Sequence, residues 1–381
     1  MAAKTIVAYA DGHVDATGPG GFNAAEGITA TSVEALAALA RTIDLCNERQ
    51  ADILVVPGDL FHTGRPAPEI VARVLTQFER LDTTKVVLID GNHDQQGVLA
   101  SHRTALMAYF ADRPWCAGAW SEPGVQRIDD IAIACLPWLR VSSSNMLGAT
   151  NEALARQVDE LASAIPEGVP SLFAGHLTLA ESTFDSGLRG SEANMVVSTL
   201  EASVPAATLE DGPWALARLG HIHRRQQITD KVGYVGSPYK VSFGEAGQDK
   251  GVDVITLGED GSARVEFVQI PGRELIKIDL TDKHHNASFA ARPGDIVRIV
   301  TTEDTLERAE AMRKTFTAAG AQVNIHRLPK EAVAVQREAR YSTEMPPAEA
   351  MAAYLSKKGV PEDKRPLVMA AFNDVTNACA H

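Results

Sequence analysis

Five short groups of Asp, Asn and His constrain this chain more than any other feature. They are Asp11-Gly12-His13, Gly58-Asp59-Leu60-Phe61-His62, Gly91-Asn92-His93-Asp94, Gly175-His176 and Gly220-His221-Ile222-His223. Each follows an apolar run that reads as a β-strand, where a loop can present polar side chains from a rigid scaffold. Taken singly, each group is bland. A lone D-x-H is a turn aspartate beside a surface histidine, and Asn-His-Asp makes a good turn. Five such groups, all at strand ends, are not explained by turns and core histidines. His221 and His223 are two residues apart, so in extended chain they share a face and offer two imidazoles to one metal ion.

The donors are nitrogen and oxygen. A binuclear site needs one carboxylate to bridge two cations about 3.5–4 Å apart, with imidazoles, an amide oxygen and further carboxylates around them. Asp59 is the bridge candidate, because its strand lies early and centrally in the order. Asp11, His13 and His223 could serve one cation. Asn92, His176 and His221 could serve the other. The four cysteines, Cys46, Cys116, Cys135 and Cys379, are far apart and form no C-x-x-C pair. That argues against a thiolate zinc site and a disulfide framework, and a cytoplasmic location is expected. Such a nitrogen and oxygen set suits manganese, iron or zinc.

Strands alternate with helices through the first two-thirds of the 381 residues. Lys4 to Tyr9, Ile53 to Val56, Val86 to Ile89, Ile131 to Leu136, Ser171 to Ala174, Ala215 to Leu219 and Gly233 to Gly236 read as strands. Thr31-Ser32-Val33-Glu34 has the spacing of a capping box that would start a helix. Ile70, Val74, Phe78 and Leu81 mark a second helix, and Glu152 to Ile165 a third. Val252 to Leu257 and Ala263 to Ile270 read as a hairpin. The pattern predicts a mixed α/β layered fold. Pro271-Gly272 reads as a boundary, followed by a small α/β unit, a charged linker and two short helices with apolar faces. No apolar run nears the roughly 18 residues of a membrane span, and no signal peptide is read at Met1 to Ala10.

These residues resemble the calcineurin-like metallophosphoesterase superfamily, whose pattern is D-x-H, G-D, G-N-H-[DE], a lone His and G-H-x-H. Within it, the chain resembles SbcD-type nuclease subunits of the meiotic recombination nuclease family. The resemblance rests on His62 after Gly58-Asp59, on Asp94 closing Gly91-Asn92-His93-Asp94, and on Leu136-Pro137-Trp138-Leu139-Arg140. Gly236-Ser237-Pro238 and Phe243-Gly244-Glu245 add to it. It implies a layered α/β/β/α sandwich over 1–271, a small α/β capping domain over 272–329, a linker over 330–345 and a C-terminal helical pair over 346–381 that binds an ATPase. It implies two divalent metal ions, manganese foremost, with Fe2+, Zn2+ or Mg2+ as alternatives. It implies His93 near the leaving group as general acid, with Asp94 orienting it, and His62 as a contact for the substrate phosphate. Duplex DNA, a coiled-coil ATPase of the SbcC type and a second copy of the chain are the implied partners, in DNA repair or recombination.

The net charge of −13 is carried by the part before Gly272. It opposes nucleic-acid binding as a bulk property, although bound cations would offset part of it. Arg65, Arg103, Arg189, Arg224 and Arg225 are candidate phosphate contacts. Two other readings compete with the nuclease: a phosphoesterase for small or protein phosphoesters, and an inactive scaffold. The complete set of donors argues against the scaffold.

Overall fold

The computed structural model describes residues 3–95, 104–139, 147–183, 202–282 and 290–329, and near the C-terminal end 351–352, 354–355, 358 and 361–378. The main strands in chain order are β1 (Lys4–Ala8), β2 (Ile53–Pro57), β3 (Lys85–Ile89), β4 (Cys116–Trp120), β5 (Gly124–Ile128), β6 (Ile131–Leu136), β7 (Ser171–His176), β8 (Leu216–Gly220), β9 (Gln226–Gln227), β10 (Val232–Tyr234), β11 (Gly251–Leu257) and β12 (Ala263–Gln269). They form two six-stranded sheets, ordered β12-β11-β1-β2-β3-β4 and β9-β10-β8-β7-β6-β5. In the first, β1 to β4 are parallel. Helices α1 (Ala30–Glu48), α2 (Pro68–Phe78) and α3 (Ala105–Ala111) occupy the three crossovers. The β11–β12 hairpin returns antiparallel to β1. In the second, β6, β7, β8 and β10 are parallel, and α4 (Leu147–Ala164) links β6 to β7.

The central strands are apolar at nearly every position because both of their faces are buried. Val7, Leu54, Val56, Val86 and Leu88 face α1, α2 and α3. Their alternates Ile6, Ala8, Ile53, Val55, Val87 and Ile89 face the second sheet, where they meet Ile131, Ile133, Leu172 and Ala174. Ala132, Ala134 and Phe173 turn outward to Leu154, Val158 and Leu161 of α4. The layering is α/β/β/α, as the resemblance implied. Each fully buried Val, Leu or Ile contributes about 1.5–3 kcal/mol.

Three local features differ from the expectations above. The capping box does not form at Thr31. Helix α1 is capped by Thr29, whose hydroxyl accepts from the Ser32 amide at 3.0 Å, while Thr31 donates to the Pro19 carbonyl. Glu34 instead accepts from the Arg273 amide. Strands β4 and β5 carry no apolar alternation; their sequences CAGAW and GVQRI are largely half-buried. Helix α3 supplies Leu106, Met107 and Phe110 to the outer core without a sequence signal strong enough to mark it.

After Gly272 come three parallel strands, β13 (Leu275–Asp279), β14 (Ile296–Thr301) and β15 (Gln322–Arg327). Helix α5 (Leu306–Ala318) buries Ala309 and Phe316 against them. This unit meets the sandwich at Phe243, which packs on Leu275 and Ile296 and lies 4.0 Å beneath the Arg298 guanidinium. Helix α6 (Arg365–Ala378) follows. The helix expected over Pro347 to Lys357 is described only at 351–352 and 354–355, which are helical, and the 330–345 linker lies outside the described residues. No helix among the described residues is long and apolar enough to cross a membrane.

One polar clamp ties the sheets together. Asp253 of β11 accepts from Arg218 of β8 at 3.0 Å on one oxygen and from Arg225 at 3.0 Å on the other. Arg218 and Asp253 are 2% and 1% exposed. Removing one partner of such a buried pair typically costs about 3–5 kcal/mol. Asp253→Ala should lower the unfolding free energy by roughly that amount in urea titrations. A loss under about 1 kcal/mol would show that water or rearrangement replaces the clamp.

Candidate metal centre

The carboxyl ends of β1, β2 and β3 in one sheet and β7 and β8 in the other meet at one place, the usual ligand position of parallel sheets. The backbone there is unusual. Asp11, His13, Asp59 and His221 have φ of 53°, 40°, 51° and 101°. Such conformations cost of order 1–3 kcal/mol each and persist only where the surroundings impose them. Gly58 has a φ of 93°, and a Cβ there would collide with the His176 imidazole. A Cβ at Gly91 would collide with Asp59. These two glycines let the loops from both sheets close on one another.

The structure brings together all seven residues expected to hold metal. Donor atoms of Asp11, His13 and His223 lie within 4.8 Å of one another, as do those of Asp11, Asp59 and His176. Asn92 Oδ1 lies 2.9 Å from His176 Nε2 and 3.1 Å from His221 Nδ1. Asp59 Oδ2 stands between the groups, 3.6 Å from both His13 Nε2 and His176 Nε2. The His221 amide donates to Asp11 Oδ1 at 2.8 Å.

Lone pairs face one another here. His223 Nδ1 lies 3.0 Å from a Glu245 carboxylate oxygen, which can only accept, so the proton sits on Nδ1 and the lone pair on Nε2. That Nε2 lies 3.0 Å from His13 Nε2. His176 Nδ1 donates to the Pro57 carbonyl at 3.0 Å, which leaves the His176 Nε2 lone pair aimed at the Asn92 amide oxygen. Burial, followed by neighbouring imidazoles, holds His13 and His176 well below the ordinary histidine range, so both are neutral. Burial, followed by Asp94 and Asp11, pushes the Asp59 carboxyl well above its usual range. Neutral imidazoles, an amide oxygen and carboxyl groups that converge on one point fit divalent cations, whose binding would displace a proton from Asp59.

Behind His223 lies a buried network to which the sequence alone assigned no role. Lys250 Nζ sits 2.7 Å from Glu245 and donates to the His223 carbonyl and Ser237 Oγ. Burial alone would raise Glu245, but Lys250 and His223 outweigh it and hold its carboxyl down at about 2. Tyr239 donates to the His13 carbonyl at 3.2 Å. The Trp138 ring stands 4.6 Å from that of His221 and walls one side.

His62 and His93 stack with centroids 4.7 Å apart. Since His13 turns Nε2 to the centre, its proton belongs on Nδ1, and His62 Nδ1, 3.2 Å away, accepts it. His93 Nδ1 donates to the His62 carbonyl at 2.8 Å. Burial, aided by the surrounding histidines, lowers His93 to about 4. One expectation is corrected: Asp94 does not orient the His93 ring. Its two oxygens accept the Phe61 and Gly91 amides, so the carboxylate braces the loops instead. Burial raises it to about 6 against those amides. Arg225 is committed to Asp253 and to the Phe267 ring rather than to a phosphate. Arg65 and Arg224 are exposed, and Arg103 and Arg189 lie outside the described residues.

Residues 4–224, which hold all seven candidate metal ligands, match the family model for calcineurin-like phosphoesterases. The chain belongs to that family. Two curated relatives, both the SbcD component of the SbcCD nuclease, from Escherichia coli K12 and O157:H7, are 27% identical over 252 residues. The match covers 60% of this chain and 61% of the length of each relative. Similar solved structures include a dimetal phosphatase from Danio rerio, with 12% identity and a TM-score of 0.44 over 71% of this chain and 99% of that one. A purple acid phosphatase from yellow lupin gives 13% and 0.42 over 70% of this chain and 51% of that one.

Partners that orient a ligating histidine typically contribute 10–100-fold in metal affinity. Glu245→Gln should weaken manganese binding by about that factor in equilibrium dialysis, and should lower stability because Lys250 loses its counter-charge. Adding Lys250→Met should restore stability but not affinity. Full manganese affinity in Glu245→Gln would remove Glu245 from the centre's support.

Proposed function

We propose that this chain is a DNA nuclease subunit that hydrolyses phosphodiester bonds at two divalent cations and works with a coiled-coil ATPase of the SbcC type. The observation that carries the binuclear part is the position of Asp59 Oδ2, equally far from His13 Nε2 and His176 Nε2. Asp11, His13 and His223 would hold one cation and Asn92, His176 and His221 the other, with Asp59 placed to serve both. Bound there, the cations would supply charge stabilisation for a phosphoryl group and a nucleophile at neutral pH. Manganese is the first choice.

The nuclease part is supported by the similarity to the two SbcD proteins and by His62, which follows Gly58-Asp59. With Nδ1 turned to His13, His62 presents Nε2–H toward a substrate phosphate. His93 presents Nε2 to the leaving oxygen. A general acid must carry a proton, and His93 alone releases its own near pH 4. The negative charge of an arriving phosphate raises that value, which ties protonation to substrate binding. Helix α6 exposes Leu367 at 77% and Val368 at 38%. That apolar face suits the groove of a helical partner.

Linear duplex DNA incubated with the full chain and manganese should be degraded, and a chelator should stop it. Cleavage of a small chromogenic diester with intact duplex would favour the small-phosphoester reading. Asp59→Asn should abolish both activities with the fold intact. His93→Gln should lose about 10²–10⁴-fold in rate, the usual contribution of general acid catalysis, and keep its metal stoichiometry. Loss of metal in His93→Gln would make it a ligand. Truncation after residue 340 should leave diester hydrolysis intact and end co-purification with the ATPase; a truncated chain that still captures it at full affinity refutes the partner assignment.

A further inference from the structure

The three-stranded unit meets the sandwich along a cleft of about 380 Å³, whose walls include Tyr239, Lys240, Lys250, Arg273, Glu274 and Arg292. The charges of this cleft do not cancel. Lys240 is held by both oxygens of Glu274, at 2.7 and 2.8 Å. Lys250 is neutralised by Glu245. Among the described residues lining the cleft, two guanidinium groups remain. Arg273 Nη2 donates to two neutral acceptors, the Pro19 carbonyl and the Thr31 hydroxyl, both at 3.1 Å. Its Nε is buried and makes no hydrogen bond among the described residues. Glu34 attracts it from nearby, yet that carboxylate accepts the Arg273 backbone amide and is shared with Arg41. Arg292 stands exposed at the rim.

A partly buried guanidinium that has to share its nearest carboxylate is unfavourable unless a further anion offsets its charge. Arg273 and Arg292 both line this polar cleft, and a guanidinium is the side chain whose planar fork best matches the oxygens of a phosphate. We propose that this cleft is a phosphate-class oxyanion site, separate from the metal centre, in which Arg273 and Arg292 are the recognising groups. Its occupant is a free phosphate or a phosphate within a polynucleotide. The site does not depend on the nuclease reading. It does share walls with the metal centre, since Tyr239 donates to the His13 carbonyl and Lys250 to the His223 carbonyl.

Equilibrium dialysis of radiolabelled orthophosphate against the manganese-loaded full chain should show two classes of bound phosphate, one at the metals and one in the cleft. Arg292→Ala, at an exposed position, should weaken the second class about tenfold and leave chromogenic diester hydrolysis unchanged. Arg273→Lys, which keeps the charge and loses the fork, should also weaken it, by less. A second arm distinguishes the occupants. If a polynucleotide phosphate is held, Arg292→Ala should reduce the salt slope of duplex binding by about 1; an unchanged slope beside weakened orthophosphate binding assigns the site to free phosphate. A single class of bound phosphate in the wild type, or unaltered binding in both variants, overturns the proposal.

Discussion

Carboxylates and imidazole lone pairs forced together in a buried pocket repel one another unless positive charge sits among them. Everything around the Asp11, His13, Asp59, Asn92, His176, His221 and His223 cluster serves to keep that unfavourable arrangement in place. The left-handed backbone at four of these residues is one part of the cost. The burial that pushes Asp59 up and His13 down is another. A loop on a flexible scaffold would relax away from such a geometry. Here each loop is anchored at the end of a strand whose two faces are both buried, so the apolar layers on either side fix where the polar groups must stand.

The chain from Ser237 to Lys250 acts as a second frame. Its Glu245 and Lys250 hold His223, its Tyr239 holds the loop of His13, and its Phe243 carries the three-stranded unit. The same short stretch therefore touches His13 and His223 on one side and the added unit on the other. Support for His13 and His223 is not local to their own loops. His176 is supported differently, by the Pro57 carbonyl and the Gly58 gap, both supplied by the opposing sheet.

This division explains what the sequence disclosed. The candidate metal ligands were legible because each lies within a few residues of an apolar run, and strand-end position is a local property. Their supports were not. Tyr239 and His13 are 226 positions apart, and Glu245 and His223 are 22 apart with no periodicity between them. The role of Asp94 was hidden for the same reason: proximity in sequence suggested His93, while the fold brings the Phe61 amide to it across 33 positions. The capping box at Thr31 fitted its template, yet that hydroxyl already has the Pro19 carbonyl as a partner, so Thr29 takes the cap. Strands β4 and β5 escaped because half-buried edge strands with glycine lack the alternation that marks a strand.

Charge is where whole-chain arithmetic misleads most. A net charge of −13 opposes any polyanion at long range. At about 0.1 M salt, however, exposed charges beyond roughly 10 Å are largely screened, so a phosphate answers to its immediate surroundings. Asp11 and Asp59 count as negative in the sum but belong to the candidate metal site, where bound divalent cations would reverse the local sign. Asp253 also counts as negative, yet it is consumed by Arg218 and Arg225. Glu245 and Glu274 are consumed by Lys250 and Lys240. Subtracting these internal pairs leaves, among the described residues, Arg292 and an Arg273 that shares Glu34 with Arg41 beside the cleft. The electrostatics relevant to a phosphate ligand are thus set by which pairs the fold closes, a property of the three-dimensional arrangement that composition conceals.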